Sequence, residues 1–130
     1  MVNDPIGDLI VQLKNASMAK KKHISLPFSK MKHALCKLLV EEGYIETVEQ
    51  TGQEPKTMLD VSLRYKNGSS VITDLKRKSK PGLRVYVGKH AIPMVIGGMG
   101  IAVLSTPEGI VTGKEAKKRG IGGELLCEIW

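Results

Sequence analysis

The chain has few aromatic residues, few cysteines and no long apolar run, and each shortage removes a class of function. One Phe, three Tyr and one Trp in 130 residues leave little material for a platform of rings that splays and stacks single-stranded bases. The two cysteines, Cys36 and Cys127, stand far apart and outside any C-x-x-C spacing, so neither a zinc site nor a redox pair has support; they read as buried thiols that pack as small hydrophobes. No apolar stretch approaches the roughly 20 residues of a membrane helix. The opening Met1-Val2-Asn3-Asp4-Pro5 lacks the basic-then-apolar layout of a signal peptide, which makes a cytoplasmic protein the expectation.

Catalytic signatures are equally scarce. His23, His33 and His90 are the only histidines, and none sits in a recognisable nucleophile–base arrangement. Gly97-Gly98-Met99-Gly100 lacks dinucleotide spacing, and Gly113-Lys114 runs into Glu115 where a phosphate loop needs Ser or Thr. The glycine cluster therefore reads as a tight turn. No catalytic residue, metal site or cofactor is expected.

What is present is positive charge, and it is uneven. The formal net charge is +7; residues 1–65 carry nine basic and eight acidic side chains, whereas residues 66–130 carry eleven and five. Clustered Lys and Arg gain affinity for phosphates by releasing counterions, so the second half is the expected electrostatic face, although charge alone also describes a merely soluble protein.

Asp4-Pro5 is a helix start, and Ile6, Leu9, Ile10 and Leu13 recur behind it at helical spacing. Lys20–His23 breaks the stripe, Ile24–Leu26 reads as extended, and Ser29 opens a second helix from Lys30 to Glu42 that Gly43 ends. The period then changes to two at Leu59, Val61, Leu63 and Tyr65, and Asn67-Gly68 is a hairpin signal. The run Lys76 to Gly82 has no apolar anchor and reads as a linker between subdomains of residues 1–78 and 79–130. Beyond it a strand Leu83 to Val87, a loop or short helix near Ile92 to Ile96, a hairpin of Ile101–Ser105 with Gly109–Thr112, a short helix with a Thr-x-x-Glu capping box at Thr112, and a last strand Glu124 to Trp130 are expected. The fold class is α+β: N-terminal helices packed on a short antiparallel sheet, then a mostly β C-terminal subdomain with short helices.

Within that second subdomain, Ser105-Thr106-Pro107-Glu108-Gly109 places small hydroxyls at a strand end, where they can meet phosphate, ribose or base acceptors. Such a stretch is also common in plain turns. Lys114, Lys117, Lys118 and Arg119 nearby strengthen the case for RNA, although cations at a helix C-terminus are also favoured by the macrodipole. A DNA-reading helix-turn-helix or basic zipper has no signature here.

Leu104 to Thr112, Glu115-Ala116-Lys117 and Gly120-Ile121-Gly122-Gly123-Glu124-Leu125-Leu126-Cys127 together resemble the C-terminal signature of the bacterial small-subunit ribosomal protein eight family. Asp4-Pro5-Ile6, Ser29 to Lys32, Glu41 to Ile45 and Lys80 to Tyr86 match it too, so the resemblance covers nearly the whole chain. It implies a structural constituent of the ribosome, without catalysis, that binds the central domain of 16S rRNA and supports assembly of the small-subunit platform. It further implies that Ser105, Thr106 and Pro107 enter an irregular RNA helix, with Gly122, Gly123 and Glu124 shaping the adjoining surface. Tyr86, Lys80 and Arg84 are further RNA candidates, and Asn3, Asp4 and Lys14 would face a second RNA element. This chain has Pro107 where family members often carry Ser, and Glu108 where a basic residue is frequent. The partners implied are 16S rRNA, neighbouring ribosomal proteins five and twelve, and, as in some members, its own messenger RNA. The other readings are a free regulatory RNA-binding protein, which ribosome cofractionation would separate, and a small enzyme using the glycine turn or Cys127.

Overall fold

The computed structural model describes residues 4–130 and divides the chain into two compact units, Met1–Ile72 and Thr73–Trp130. The α+β expectation is borne out.

In the first unit Asp4 accepts a hydrogen bond from the Gly7 N–H at 3.2 Å and Pro5 occupies the first turn of α1 (Pro5–Met18). Strand β1 (His23–Pro27) leads to α2 (Lys30–Glu41), whose cap Ser29 accepts from the Lys32 N–H at 3.3 Å. At its other end Gly43, at φ +81°, lets the Gly43 and Tyr44 amides turn back onto the carbonyls of Val40 and Leu39 at 3.1 and 2.8 Å, which satisfies acceptors the helix would otherwise leave open. Strands β2 (Ile45–Thr51) and β3 (Met58–Leu63) complete an antiparallel sheet in the order β1-β3-β2.

One face of that sheet is apolar because the strand period is two. Leu26, Leu59 and Val61 are fully buried with Leu9, Leu13, Leu35 and Leu39 of the helices. One cation is buried beside this core: Lys32 is 3% exposed, and its ammonium meets Asp8 Oδ2 at 2.9 Å and the Pro27 carbonyl at 3.3 Å. The hydrogen bond from Lys32 is the chief reason that Asp8 titrates below its ordinary value, against the opposing effect of burial. The Asn67-Gly68 signal forms a separate hairpin of β4 (Tyr65–Lys66) and β5 (Ser69–Ser70), with φ +54° and +79° at its two central residues, the positive pair that a two-residue hairpin turn of this kind requires.

The second unit is built around one sheet of β6 (Leu75–Arg77), β7 (Tyr86–Val87), β8 (Ile101–Thr106), β9 (Gly109–Thr112) and β10 (Gly123–Ile129). Its order is β6-β10-β8-β9, with β7 also paired to β10. Helix α3 (Gly113–Arg119) follows β9; Thr112 caps it by accepting from the Glu115 N–H at 3.1 Å, and Gly120 ends it at φ +69°. A single 3-10 turn spans Ile96–Gly98. Ile92, Val95, Ala102, Leu104, Val111, Ala116 and Leu125 form one core, with Trp130 packed against it.

The basic run is where structure and sequence expectation part. The units divide at Ile72/Thr73 rather than after residue 78, because Leu75–Arg77 hydrogen-bonds to β10 as a strand of the second unit. The Lys78 and Ser79 amides both donate to the carbonyl of Leu126, at 3.0 and 3.4 Å, where β10 bulges between Leu125 and Cys127. Ser79 is 2% exposed and its hydroxyl accepts from the Val85 N–H at 2.8 Å. Lys80-Pro81-Gly82-Leu83 is a tight turn with Gly82 at φ +82°, the position of a type II turn that favours glycine. The expected strand from Leu83 shrinks to Tyr86–Val87, since Leu83 closes that turn.

Candidate nucleic-acid interface

Strands β7, β10 and β8 set three side chains in one row. Glu124 of β10 stands opposite Tyr86 of β7 on one side and opposite Ser105 of β8 on the other, and residues directly opposite in an antiparallel ladder project from the same face. This row opens into a hollow of about 510 Å³ lined by Tyr86, Val87, Gly88, Ser105, Thr106, Pro107, Gly122, Gly123 and Glu124.

The hollow exists because Gly122, just before β10, and Gly123, its first residue, have no side chain. A Cβ on Gly122 would collide with the Val87 carbonyl oxygen and come within 2.9 Å of Gly88 Cα; one on Gly123 would collide with the Ser105 carbonyl oxygen and approach Thr106 Cγ2 at 3.0 Å. Close approach of three backbones, rather than positive φ, fixes both glycines. Backbone peptide groups therefore form much of the wall, with donors and acceptors at their edges.

The two hydroxyls differ in what they are free to do. Thr106 Oγ1 donates to the Gly109 carbonyl at 2.8 Å and accepts from the Glu108 N–H at 3.1 Å, so it shapes the turn. Ser105 has no side-chain hydrogen bond among the described residues and leaves its hydroxyl open to a ligand. Pro107 follows at the turn's first central position, which its fixed φ suits, and Gly109 completes the turn at φ +107°.

Cations near the hollow fall into two groups. Arg84 Nη1 lies 3.2 Å from Glu124 Oε2, and Arg119 reaches both Glu108, at 3.5 Å, and Glu115, at 2.9 Å. The Glu115 carboxylate, expected at the helix cap, meets Arg119. Lys114, Lys117 and Lys118 are exposed on α3 with no carboxylate partner among the described residues. The second unit carries ten basic and five acidic side chains against ten and eight in the first.

Seven of the residues singled out from sequence thus line one hollow: Tyr86, Ser105, Thr106, Pro107, Gly122, Gly123 and Glu124. Arg84 stands at its border through Glu124, and Lys80 sits on the exposed turn outside the lining. Asp4 and Lys14 belong to the first unit, where Asp4 caps α1; Asn3 lies outside the described residues. Val87 and Gly88 were missed, since they contribute backbone, and only the glycine next to a predicted strand could have pointed to them.

A second hollow, of about 620 Å³, lies on the outer face of the first unit's sheet. Its polar groups are largely paired internally: His23 with Ser62 and Ser25 with Asp60, each at 2.9 Å. Among the described residues no three His, Cys, Asp or Glu side chains gather as metal ligands, and no helix is long and apolar enough to cross a membrane. Both thiols are buried, and burial pushes each to about 12.

An α+β chain with unreactive thiols, an open hydroxyl-and-backbone hollow and unpaired lysines on the adjoining helix is built as a binding protein for a polyanion. Residues 4–130 match the profile of the family described as Ribosomal protein S8, and the chain belongs to that family. Relatives called "Small ribosomal subunit protein uS8" include those of Dictyoglomus thermophilum (50% identical, 99% of this chain and 98% of the relative), Halothermothrix orenii (48%, 99% and 98%) and Dehalococcoides mccartyi (45%, 100% of both). The resemblance read from the motifs is borne out. The family is one of structural, ribosome-associated, RNA-binding proteins of translation, and its members are not enzymes.

Proposed function

We propose that this chain is a primary binder of 16S rRNA that docks on the central domain and supports assembly of the small-subunit platform. The observation that carries the reading is the convergence of Tyr86, Glu124 and Ser105 in one row above the Gly122–Gly123 opening, with the Ser105 hydroxyl left without a partner. Hydroxyl and backbone groups held at a strand end suit an irregular RNA helix with unpaired bases, because they reach base and ribose edges that a regular A-form groove hides. Lys114, Lys117 and Lys118 would neutralise phosphate, while Lys80 and the first unit's Asn3, Asp4 and Lys14 would meet further RNA. Contacts with ribosomal proteins five and twelve, and with messenger RNA that mimics the site, belong to the same proposal through family membership.

The test compares binding of a central-domain 16S fragment with binding of an unrelated RNA of equal length across a salt series. Selective binding by the wild-type chain, reduced in a Ser105→Ala/Thr106→Ala double variant, is the expected result. Equal affinity for both RNAs would leave only a generic cationic surface.

A further inference from the structure

We propose that Arg84 is a positioning residue: it fixes the Glu124 carboxylate as an acceptor in the hollow, where that carboxylate takes a hydrogen bond from the exocyclic amino group of an unpaired base. This rests on the reading of the hollow as an RNA site, but it reverses the role that resemblance gives Arg84, from a direct contact to a support.

An acidic side chain in the wall of a site for a polyanion needs a reason. Glu124 is 15% exposed at its side chain, lines the hollow, and is held by Arg84 at 3.2 Å. An ionised carboxylate only accepts hydrogen bonds, so it repels phosphate and attracts N–H or O–H donors. Arg84 cancels the local charge and fixes the carboxylate's orientation, which lets an anion stand beside RNA without a large repulsion.

The row decides which donor. Tyr86, Glu124 and Ser105 occupy successive strands, about 4.8 Å apart, so a ring face, a carboxylate and a free hydroxyl follow one another at spacings that suit the edge of a single base. Tyr86 is 71% exposed and offers a π-face that would hold a base, rather than a ribose, over the row. Carboxylates read base amino groups in just this way. Arg119 fits the same division of labour: it is likewise engaged by carboxylates, and phosphate contact falls to lysines that have no carboxylate partner among the described residues, those of α3 among them.

The experiment uses the full chain and the central-domain 16S fragment. Arg84→Met, Glu124→Met and the double variant are titrated across a salt series. Each single variant is expected to lose about tenfold in affinity, the discrimination that one charge-assisted hydrogen bond supplies. The double variant should lose no more than either single, and Arg84→Met should leave the salt slope unchanged. In a second arm, unpaired adenines, guanines and cytosines of the fragment are replaced one at a time by purine, inosine or pyrimidin-2-one, which lack the amino group. One replacement should weaken wild type about tenfold and leave Glu124→Met unaffected.

A slope smaller by about one in Arg84→Met, or additive losses, makes Arg84 a phosphate contact and overturns its positioning role. A 2′-deoxy substitution that reproduces the Glu124 effect, with no amino deletion doing so, assigns the carboxylate to ribose and overturns base reading. Arg84→Lys keeps a cation beside Glu124 and should bind within about threefold of wild type; it decides the matter if Arg84→Met unfolds, and a tenfold loss there overturns the pairing unless the melting curve has shifted. Failure of wild type to prefer the fragment over unrelated RNA would instead strike the underlying reading.

Discussion

The two units use their polar groups in opposite ways. In the first, the ammonium of Lys32 is turned inward onto Asp8, and the outer hollow has His23 paired with Ser62 and Ser25 with Asp60. In the second, several polar groups at the surface are left open: Ser105 at the row and Lys114, Lys117 and Lys118 on α3. The outer hollow of the first unit therefore offers a ligand fewer open groups, since four of its polar side chains already bond one another. The second has groups whose partners must come from water or RNA. Net charge alone, +2 against +5 by unit, would have suggested only a difference of degree.

The largest effect that would sharpen this contrast is on stability and lies in the first unit. Asp8→Ala strands the ammonium of Lys32, and breaking a buried pair on one side costs about 3 kcal/mol, at the low end because Asp8 is 22% exposed at its side chain. A lower urea midpoint with unchanged RNA affinity is expected; weakened binding at full folding would show that the pair serves RNA. The same pair has a pH signature. Asp8 titrates below its ordinary 3.8 because Lys32 donates to it, so its contribution is fully present above that value and is lost as pH falls through the folded-state value. Asp8→Asn should flatten the acid limb of the stability curve.

Next comes Gly122→Ala, which should reverse the pattern by injuring the second unit. The added methyl meets the Val87 carbonyl and Gly88; overpacking of this kind costs about 1–3 kcal/mol. It should also widen the gap between β7 and β10 and lower RNA affinity more than stability alone explains. The two thiols can report which unit has opened. Cys36 lies in the first unit and Cys127 in the second, both buried and raised to about 12, so labelling of either requires local unfolding. Asp8→Ala should speed labelling of Cys36 and Gly122→Ala that of Cys127.

Sequence reasoning read best where a side chain's chemistry and its period agree. The caps at Asp4, Ser29 and Thr112, the alternation at Leu59, Val61 and Leu63, and the Asn67-Gly68 turn all involve local physics that a window of a few residues contains. The basic run misled because its anchor is not local. Ser79 looks like a loop residue, yet its burial depends on Val85 and on a carbonyl freed by a bulge more than 40 residues later in the chain. The hollow was legible through Ser105 as a hydroxyl at a strand end, and through Gly122 and Gly123 only by the family resemblance; the row of Tyr86, Glu124 and Ser105 was not, because register across three strands decides that Glu124 stands between the other two. Nor could sequence tell the two hydroxyls apart: Thr106 spends its capacity on its own turn. Ser105→Ala should accordingly weaken RNA binding by about 1 kcal/mol through one lost hydrogen bond, whereas Thr106→Ala should act by loosening the turn and should also lower the melting temperature.

The smallest effects divide cations within the second unit. Lys117 and Lys118 have no carboxylate partner among the described residues, whereas Arg119 bridges Glu108 and Glu115 across the turn and its own helix. A lysine that sits on phosphate releases a counterion when it binds, so each Lys→Gln change should lower the salt slope by about one while weakening all tight-binding RNAs alike. Arg119→Gln should instead leave the slope nearly unchanged, because its charge is already balanced before RNA arrives. Its cost should appear as a slightly more mobile Pro107–Glu108 turn, with an exposed-pair loss of about 0.2–1 kcal/mol. If Arg119→Gln lowers the slope as much as Lys118→Gln does, then RNA displaces the carboxylates on binding, and the pairing of arginines with acids around the hollow is a resting state that the ligand breaks.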